Sequence, residues 1–293
     1  MIGGVVPRQE KFGTLQRDLP IIKDVIDYQL TRYPRLYLFV ERFREWVNWD
    51  KRVYLSFVKR GDIVLDIGAN VGAHSVFLSH LVRAEGRILA FEPLEPNVHA
   101  LRETLRRRSR IDNINVFQRA VGASQVAEGV IIAVPGNDFT QASLKTHTAG
   151  SWRENAAVTE YRVPLTSIDS EAEVQSLPHL DFVKIDVEGA ELNVLKGAAR
   201  TVSKHLPMIY CELYERWSAS FGYTPADVFH FVRSLGYEEA RVISRGRVRP
   251  MFLSDSIPTG LFSESSDVLF FANRHQALVQ DFDRRYRVPA ISR

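Results

Sequence analysis

Short apolar runs that alternate with helical repeats constrain the fold of this chain more than any other feature. The runs "DIVLDIG", "RILAFEP", "INVFQRAVG" and "DFVKIDVEG" are almost continuously apolar, as is typical of strands covered on both faces. After the first run, helical spacing places Leu78, Leu81 and Val82 on one face. Crossovers of this kind join parallel strands, so the sequence predicts a right-handed α/β sheet.

Three segments are predicted along the chain. Residues 1–60 contain helical repeats broken near Pro34, which predict a helical N-terminal extension or cap. Residues 61–275 form the main domain, in which the polar, turn-rich stretch 136–160 predicts a substrate loop. Residues 276–293 are left as a C-terminal tail.

The last part of the main domain contains a clear helix start and two strand-like runs. Thr224 followed by Pro225 predicts an N-cap and a first helical position, and Gly236 predicts the end of that helix. The runs "EARVISRGRVR" and "DVLFFANR" follow with no helix between them. They predict an antiparallel hairpin at the edge of the sheet.

Composition excludes several classes of protein. The 293 residues are 45% hydrophobic and 25% charged, as in a soluble globular protein, and the net charge of +3 is too small to indicate a nucleic-acid partner. No run of apolar residues is long enough to span a membrane, and the N-terminus lacks a signal-peptide pattern. The single Cys211 excludes an internal disulfide. We therefore expect a cytoplasmic protein, and a homodimer is compatible with these properties.

Carboxylates recur where the predicted strands end. Asp66 ends the first strand and Glu92 the second, Asp186 and Glu188 follow the fourth, and Glu212 ends the fifth. The carboxyl ends of parallel strands share one edge of the sheet, and ligands of open α/β sheets bind there. The sequence therefore predicts an acidic ligand site at this edge.

The junction "VLDIGANVGAHS" indicates the charge of the ligand. Gly68 and Gly72 lack the third glycine of a dinucleotide fingerprint, and Asp66 would repel a pyrophosphate but attract a cation. Glu92, about 20 residues beyond the turn, can bind both hydroxyls of a ribose. These features favour S-adenosylmethionine, which carries a sulfonium and no phosphate. An NAD-dependent oxidoreductase and a non-catalytic scaffold of the same fold stay open as alternatives.

Four stretches resemble one known family. "VLDIGANVGAHS", "AFEPLEPN", "AVG" and above all "FVKIDVEGAELNVLKGA" are similar to the FkbM-type S-adenosylmethionine-dependent methyltransferases, a class I group that typically methylates hydroxyl oxygens of sugars and natural products. The resemblance covers residues 60–275. It implies a Rossmann-like, seven-stranded, mostly parallel sheet of order 3-2-1-4-5-7-6 with an antiparallel last strand.

The resemblance also implies a cofactor site. The first junction would line the methionine and sulfonium, the second would bind the ribose and flank the adenine, and the third would contact the adenine ring. The end of the fourth strand would lie against the methionine or the acceptor. The residues expected to bind the cofactor are Asp66, Gly68, Asn70, Gly72, Glu92, Pro93, Leu94, Arg119, Ala120 and Asp186.

Methyl transfer to an alcohol requires in-line alignment and removal of the hydroxyl proton. Asp186, Glu188 and Glu212 are candidates for the general base because they converge where the acceptor approaches. Their oxygens could instead bind Mg²⁺, with Asp186 and Glu212 as ligands. Two structural alternatives stay open: Glu188 could cap the following helix, and Glu212 could form an ion pair.

Two histidines and an aromatic segment complete the candidates. His74, two residues into the first helix, is either the base or a hydrogen-bonded wall of the pocket. His147 lies in the long loop and would reach the acceptor if that loop closed. Tyr214 stands where the resembled family often carries histidine, which puts a base at that position in doubt. Residues 217–223, "WSASFGY", predict either an acceptor wall or part of the core.

Overall fold

The computed structural model describes residues 33–41, 48–107, 112–136, 138–147, 152 and 157–290. The chain divides into two units, Met1–Asn48 and Trp49–Arg293. The predicted helix before Pro34 lies outside the described residues. Within the described ranges, no helix has both the length and the apolarity needed to cross a bilayer.

The described residues form eleven strands and ten α-helices. In chain order the strands are β1 (Ile63–Ile67), β2 (Arg87–Phe91), β3 (Ile114–Phe117), β4 (Ala120–Val121), β5 (Val126–Pro135), β6 (Val158–Thr166), β7 (Phe182–Ile185), β8 (Met208–Leu213), β9 (Glu239–Ser244), β10 (Arg247–Phe252) and β11 (Ser266–Phe271). The helices are α1 (Pro34–Glu41), α2 (Trp49–Phe57), α3 (Ala73–Val82), α4 (Glu95–Arg107), α5 (Ala172–Gln175), α6 (Glu191–Gly197), α7 (Ala199–His205), α8 (Glu215–Ser220), α9 (Pro225–Ser234) and α10 (Gln276–Tyr286).

Eight of the strands form the central sheet, in the order β10-β9-β11-β8-β7-β1-β2-β3. The pairs β1/β2, β2/β3, β1/β7 and β7/β8 are parallel, whereas β11 is antiparallel to both of its neighbours. Without β10 this is the order 3-2-1-4-5-7-6, with an antiparallel last strand. The predicted α/β fold is confirmed, and β10 adds an eighth strand at one edge.

The two runs of the predicted edge hairpin do pair antiparallel, as β9 with β11, but β10 and not β11 lies at the edge of the sheet. "EARVISRGRVR" forms a hairpin by itself, because β9 pairs with β10 across Arg245 and Gly246. Both turn residues have positive φ, +49° and +72°, and a two-residue turn of this hand matches the twist of the flanking strands. The run "DVLFFANR" instead supplies β11, which lies inside the sheet between β8 and β9.

A smaller sheet of order β4-β6-β5 lies beside the central one. "INVFQRAVG", predicted as one strand, is divided between β3 and β4, which belong to different sheets. The chain bends between them, where the Arg119 amide donates to the Phe117 carbonyl at 3.0 Å. After β5, a short 3₁₀ helix over Phe139–Gln141 and a bridge between Ala133 and Ser143 return the predicted substrate loop to this sheet. Residues 137, 148–151 and 153–156 of that loop lie outside the described ranges.

The core explains the continuous apolar runs. All five residues of β1 and all four of β7 are buried, since helices cover both faces of the parallel strands. Burial of one such aliphatic side chain contributes about 1.5–3 kcal/mol. Cys211 is a buried free thiol, as expected for its place in β8.

Two further features concern the helices: the cap of α9 and the contact between α2 and α10. The predicted start of α9 is confirmed, because Thr224 and Asp227 form a capping box with Pro225 in the first turn. Helix α2 packs against α10, with the rings of Phe57 and Phe282 5.1 Å apart. The segment predicted as a C-terminal tail therefore contains a helix that contacts residues 49–57.

Candidate functional site

A cavity of about 220 Å³ opens at the carboxyl ends of β1, β2 and β7. Its wall includes Phe139, Ser143 and Leu144 from the predicted substrate loop. The residues of the expected cofactor set that line it are Gly68, Asn70, Glu92, Pro93, Arg119, Ala120 and Asp186. Those of the set that are absent from its lining are Asp66, Gly72 and Leu94.

Glu92 is a buried carboxylate, and three backbone or side-chain N–H groups of the protein donate hydrogen bonds to its two oxygens. Its Oε2 accepts from the Asn70 amide at 2.8 Å, and its Oε1 accepts from the Leu94 amide at 3.0 Å and from Asn97 Nδ2 at 3.1 Å. Burial raises the pKa of Glu92, and these hydrogen bonds oppose the rise. Because a carboxylate oxygen can accept two bonds, Oε2 keeps one acceptor position for a ligand hydroxyl.

Asp66 lies behind the cavity wall, fully buried, and not at its surface. Ser75 Oγ donates to its Oδ2 at 2.5 Å, and Lys184 Nζ lies 3.5 Å from its Oδ1. The same ammonium group lies 3.2 Å from Asp186 Oδ2 and donates to the Gly68 carbonyl at 3.0 Å. The negative charge of Asp66 is therefore compensated inside the protein.

Lys184 is the residue that the sequence reasoning missed. Burial alone would lower its pKa, but the charges of Asp186 and Asp66 outweigh burial and raise the pKa above its ordinary value. The signal was present in "FVKI", because a lysine within a fully buried strand requires carboxylate partners.

The turn after β1 approaches the end of β7 very closely. Gly68 has a φ of +83°, and a Cβ there would lie 1.8 Å from the Asp186 carbonyl oxygen. Only glycine both adopts this positive φ without strain and has no Cβ to collide with that carbonyl oxygen. The contact brings Asn70, on one turn, to the same cavity as Asp186, on the other.

Asp186, Glu188 and Glu212 form a carboxylate cluster in which one oxygen from each lies within 4.8 Å of the others. Burial, followed by the charge of Asp186, raises the pKa of Glu188 to about 10 and that of Glu212 to about 9. Burial would also raise the pKa of Asp186, but Lys184 and a hydrogen bond from Glu212 lower it. At neutral pH the cluster therefore holds one carboxylate, on Asp186, and two protons.

Neither structural alternative, a helix cap by Glu188 or an ion pair of Glu212, is seen among the described residues. At the start of α6 the carboxylate that accepts a backbone amide is that of Glu191, from Gly189 at 2.9 Å. Glu212 accepts a hydrogen bond from the Ser265 hydroxyl. Among the described residues, Glu188 Oε2 is buried without a hydrogen-bond partner.

His74 lines the cavity and is held by Tyr54. Its Nδ1 lies 2.9 Å from the Tyr54 hydroxyl, and the two rings meet edge to face at 5.7 Å. Burial and the charge of Lys184 lower the pKa of His74, while burial and nearby carboxylates raise that of Tyr54. The ring is therefore neutral beside a protonated phenol.

The remaining candidates lie behind the cluster. His147 is buried and stacks on Trp217, whose ring also contacts Tyr214 at 5.3 Å. The Tyr223 hydroxyl donates to the Gly189 carbonyl at 2.6 Å. These side chains support the turn that carries Glu188, and none of them belongs to the cavity lining.

Arg119 lies at the adenine side of the expected site. Its Nη1 donates to Glu171 at 3.1 Å, and its guanidinium lies 5.9 Å from the Phe117 ring centre. Phe117 in turn stacks on Phe91 at 4.7 Å. The bend between β3 and β4 thus presents an ordered, partly apolar wall to the cavity.

The chain is similar in sequence to known methyltransferases. A model of the methyltransferase FkbM domain matches residues 66–239. "Methyltransferase 1" of Beauveria bassiana is 24% identical over 181 residues, which are 58% of this chain and 72% of that protein. "Hexuronic acid methyltransferase AglP" of Haloferax volcanii is 29% identical over 151 residues, which are 50% of this chain and 54% of that protein.

Among solved structures, a methyltransferase FkbM from Methylobacillus flagellatus aligns with a TM-score of 0.44 and 16% identity. The alignment covers 86% of this chain and 60% of that one. The chain therefore spans little more than half the length of the Haloferax and Methylobacillus proteins that it matches.

Proposed function

The chain belongs to the FkbM methyltransferase family, and from this premise we propose that it transfers the methyl group of S-adenosylmethionine to a hydroxyl oxygen of an uncharged sugar or natural product. The observation that carries this proposal is the cluster of Asp186, Glu188 and Glu212 beside the glycine turn. It offers one ionised and two protonated carboxyl groups, of which Asp186 and Glu188 line the cavity, and this arrangement suits the binding and deprotonation of an alcohol.

The cavity residues fit the cofactor. The free acceptor position on Glu92 would hold a ribose hydroxyl, the Gly68–Asn70 turn would follow the methionine, and Pro93 with Ala120 would flank the adenine. Because Asp66 is fully buried and absent from the cavity lining, whereas Asp186 belongs to it, we assign the attraction for the sulfonium to Asp186. When bound, the cofactor supplies an electrophilic methyl group.

Asp186 would act as the general base. It is the member of the cluster that is ionised at neutral pH, and the hydroxyl proton would pass to it as the oxygen is methylated. The protonated Glu188 lines the cavity and can donate a hydrogen bond that orients another oxygen of the acceptor, whereas Glu212 donates its hydrogen bond to Asp186. His74, neutral and bonded to Tyr54, would form the wall beside the reacting oxygen.

Mg²⁺ is the alternative occupant of the cluster. All three groups offer oxygen ligands, which Mg²⁺ prefers, with Asp186 and Glu212 as the expected ligands. A bound Mg²⁺ would lower the pKa of an acceptor hydroxyl. Loss of turnover in excess EDTA, restored by Mg²⁺, would support this form. Full turnover in EDTA would leave Asp186 as the base.

The charge of the cluster argues for an uncharged acceptor. A carboxylate-bearing sugar, as named for the Haloferax relative, would approach the ionised Asp186. The nearby Lys184 is already shared by Asp66 and Asp186. A neutral hydroxyl compound avoids this repulsion.

Family membership argues against the NAD-dependent oxidoreductase, and the cavity residues that fit the cofactor argue against the non-catalytic scaffold. The cytoplasmic location, the homodimer and the role in natural-product biosynthesis stay predictions from the sequence. The role of residues 136–160 as a substrate loop likewise stays a prediction from the sequence.

Calorimetric titration of the purified protein tests the proposal. We expect binding of S-adenosylmethionine and of S-adenosylhomocysteine and none of NAD. Transfer of a labelled methyl group to neutral sugars and polyketide alcohols, compared with hexuronates, then identifies the acceptor class. Binding of NAD alone would contradict the proposal, and preferential methylation of hexuronates would contradict its uncharged acceptor.

A further inference from the structure

His147 joins two parts of the molecule that meet at the cavity. Its Nε2 lies 3.0 Å from the Glu188 carbonyl oxygen and 3.0 Å from Ser143 Oγ. Ser143 Oγ donates to the same carbonyl at 2.8 Å. On the other side of the ring, Nδ1 lies 3.2 Å from Ser220 Oγ. The wall segment 138–147 is thus bonded to the turn after β7.

The partners of His147 define its protonation. The Glu188 carbonyl can only accept, so Nε2 must carry the hydrogen. Nδ1 of the neutral ring then accepts from the Ser220 hydroxyl. Burial lowers the pKa of His147, which keeps this neutral form at physiological pH. A neutral Nε2–H donor is therefore the working state of the residue.

Aromatic side chains fix the orientation of the ring. Trp217 stacks on it at 5.4 Å with an angle of 29°, and Trp152 meets it edge to face at 5.5 Å. Trp152 Nε1 also donates to the Gln141 carbonyl at 3.1 Å, within the wall segment. The ring is held by packing and by hydrogen bonds at both nitrogens, which is unlike an exposed loop histidine.

The turn that His147 holds has a constrained backbone. Glu188 has a φ of +54° and Gly189 a φ of +100°, so the glutamate adopts the left-handed conformation that non-glycine residues rarely take. This conformation places the Glu188 carboxyl in the cluster and its carbonyl toward Ser143 and His147. The backbone of Glu188 therefore depends on donors from the wall segment.

We propose that His147 is a positioning residue, whose Nε2–H fixes the Glu188 turn to the wall segment 138–147 and so assembles the cofactor wall and the carboxylate cluster as one unit. This inference rests on the proposed function, which gives the carboxylate cluster its catalytic role. It replaces the expectation that His147 reaches the acceptor as a base, because the ring is buried and both of its nitrogens have partners.

Two substitutions separate the hydrogen bond from the packing. His147→Phe keeps an aromatic ring against Trp217 and removes the donor, whereas His147→Gln keeps an N–H donor and removes the ring. Ser143→Ala removes the second donor to the Glu188 carbonyl. It takes the place of His147→Phe in the measurements if His147→Phe fails to fold. Ser220→Ala removes the partner of Nδ1, together with the hydrogen bond of the Ser220 hydroxyl to the Arg216 carbonyl, and leaves both donors to the Glu188 carbonyl in place.

Hydrogen exchange of the ligand-free protein is the first measurement. We expect exchange in residues 138–147 and 186–190 to accelerate about tenfold in His147→Phe, as for the loss of one buried hydrogen bond, and much less in His147→Gln and Ser220→Ala. The second measurement is the Kd of S-adenosylhomocysteine by calorimetry. We expect it to rise about tenfold in His147→Phe and to be largely restored in His147→Gln.

The outcomes distinguish this inference from the proposed function. Wild-type exchange and affinity in His147→Phe would overturn it, and so would a His147→Gln variant as impaired as His147→Phe, because packing alone would then explain the residue. Accelerated exchange in His147→Phe with rescue by glutamine, in a wild-type protein that binds no S-adenosylhomocysteine, would support the positioning role and contradict the proposed function.

Discussion

The ammonium group of Lys184 lies 3.2 Å from the carboxylate of Asp186, inside the sheet and at the edge of the cavity. Asp66, on the neighbouring strand, lies 3.5 Å from the same ammonium group. The two acids that the sequence places at separate strand ends thus share one cation. The charge of Lys184 keeps Asp186 ionised at the cavity. Asp66 is fully buried and does not line the cavity, so it makes no direct contact with a ligand there.

Replacement of Lys184 by methionine is expected to destabilise the fold by about 3–5 kcal/mol, because it leaves buried carboxylates without their cation. Urea unfolding measures the change. The double variant Lys184→Met, Asp66→Asn is the matched control, and its loss should be smaller because one uncompensated charge is removed with the cation. Asp66→Asn alone completes the cycle, and losses of the two single variants that simply add up to that of the double variant would show that Asp66 and Lys184 do not interact.

The raised pKa values of Glu188 and Glu212 predict that stability falls with increasing pH. The folded state holds protons up to about pH 10 and 9 on groups that the unfolded chain releases near 4.5, so the stabilisation is present below pH 4.5 and is lost as pH rises toward 9–10. Each group contributes a slope of at most about 1.4 kcal/mol per pH unit.

Thermal unfolding in EDTA between pH 5 and 9 tests this expectation. Glu188→Gln and Glu212→Gln, which mimic the protonated forms, should each flatten the pH dependence, whereas Glu95→Gln, on an exposed position of α4, should not. A wild-type stability that rises over this range would contradict the protonation assigned to the cluster.

The sequence predicted those features that depend on neighbours along the chain. The parallel strands follow from apolar runs, the α9 cap from Thr224 and Pro225, and the place of Glu92 from its distance to the glycine turn. Contacts between distant segments could not be predicted in this way. Lys184 meets Asp66 because β7 pairs with β1, and a register between strands more than a hundred residues apart leaves no local pattern.

The same limit explains the other differences. His147 belongs to a polar stretch, which predicts exposure, and the packing of Trp152, Trp217 and Phe221 against its ring makes it buried. The β9–β10 hairpin had a local signal, since Arg245 and Gly246 separate two alternating runs, and β9 pairs with β10 along one edge and with β11 along the other.

The close approach of the two turns predicts different outcomes at two glycines. Gly68 and Gly61 both have positive φ, +83° and +89°, but a Cβ at Gly61 meets nothing within 4 Å. Gly61→Ala should therefore cost only the backbone strain, about 1–2 kcal/mol. Gly68→Ala should cost clearly more and abolish binding of S-adenosylhomocysteine, because its Cβ would collide with the Asp186 backbone. Urea unfolding and calorimetry check both, and equal costs would contradict the contact.

Glu92 provides the most direct test of the cofactor site. Glu92→Gln preserves shape but weakens the hydrogen bond that a ribose hydroxyl would donate to Oε2, so we expect the Kd of S-adenosylhomocysteine to rise about 10- to 100-fold. Asn97→Ala removes one donor that orients Oε1 and leaves Oε2 in place, so its effect should be smaller. Calorimetry on both variants, with circular dichroism to confirm folding, measures the difference. Wild-type affinity in Glu92→Gln would show that the cofactor does not contact this carboxylate.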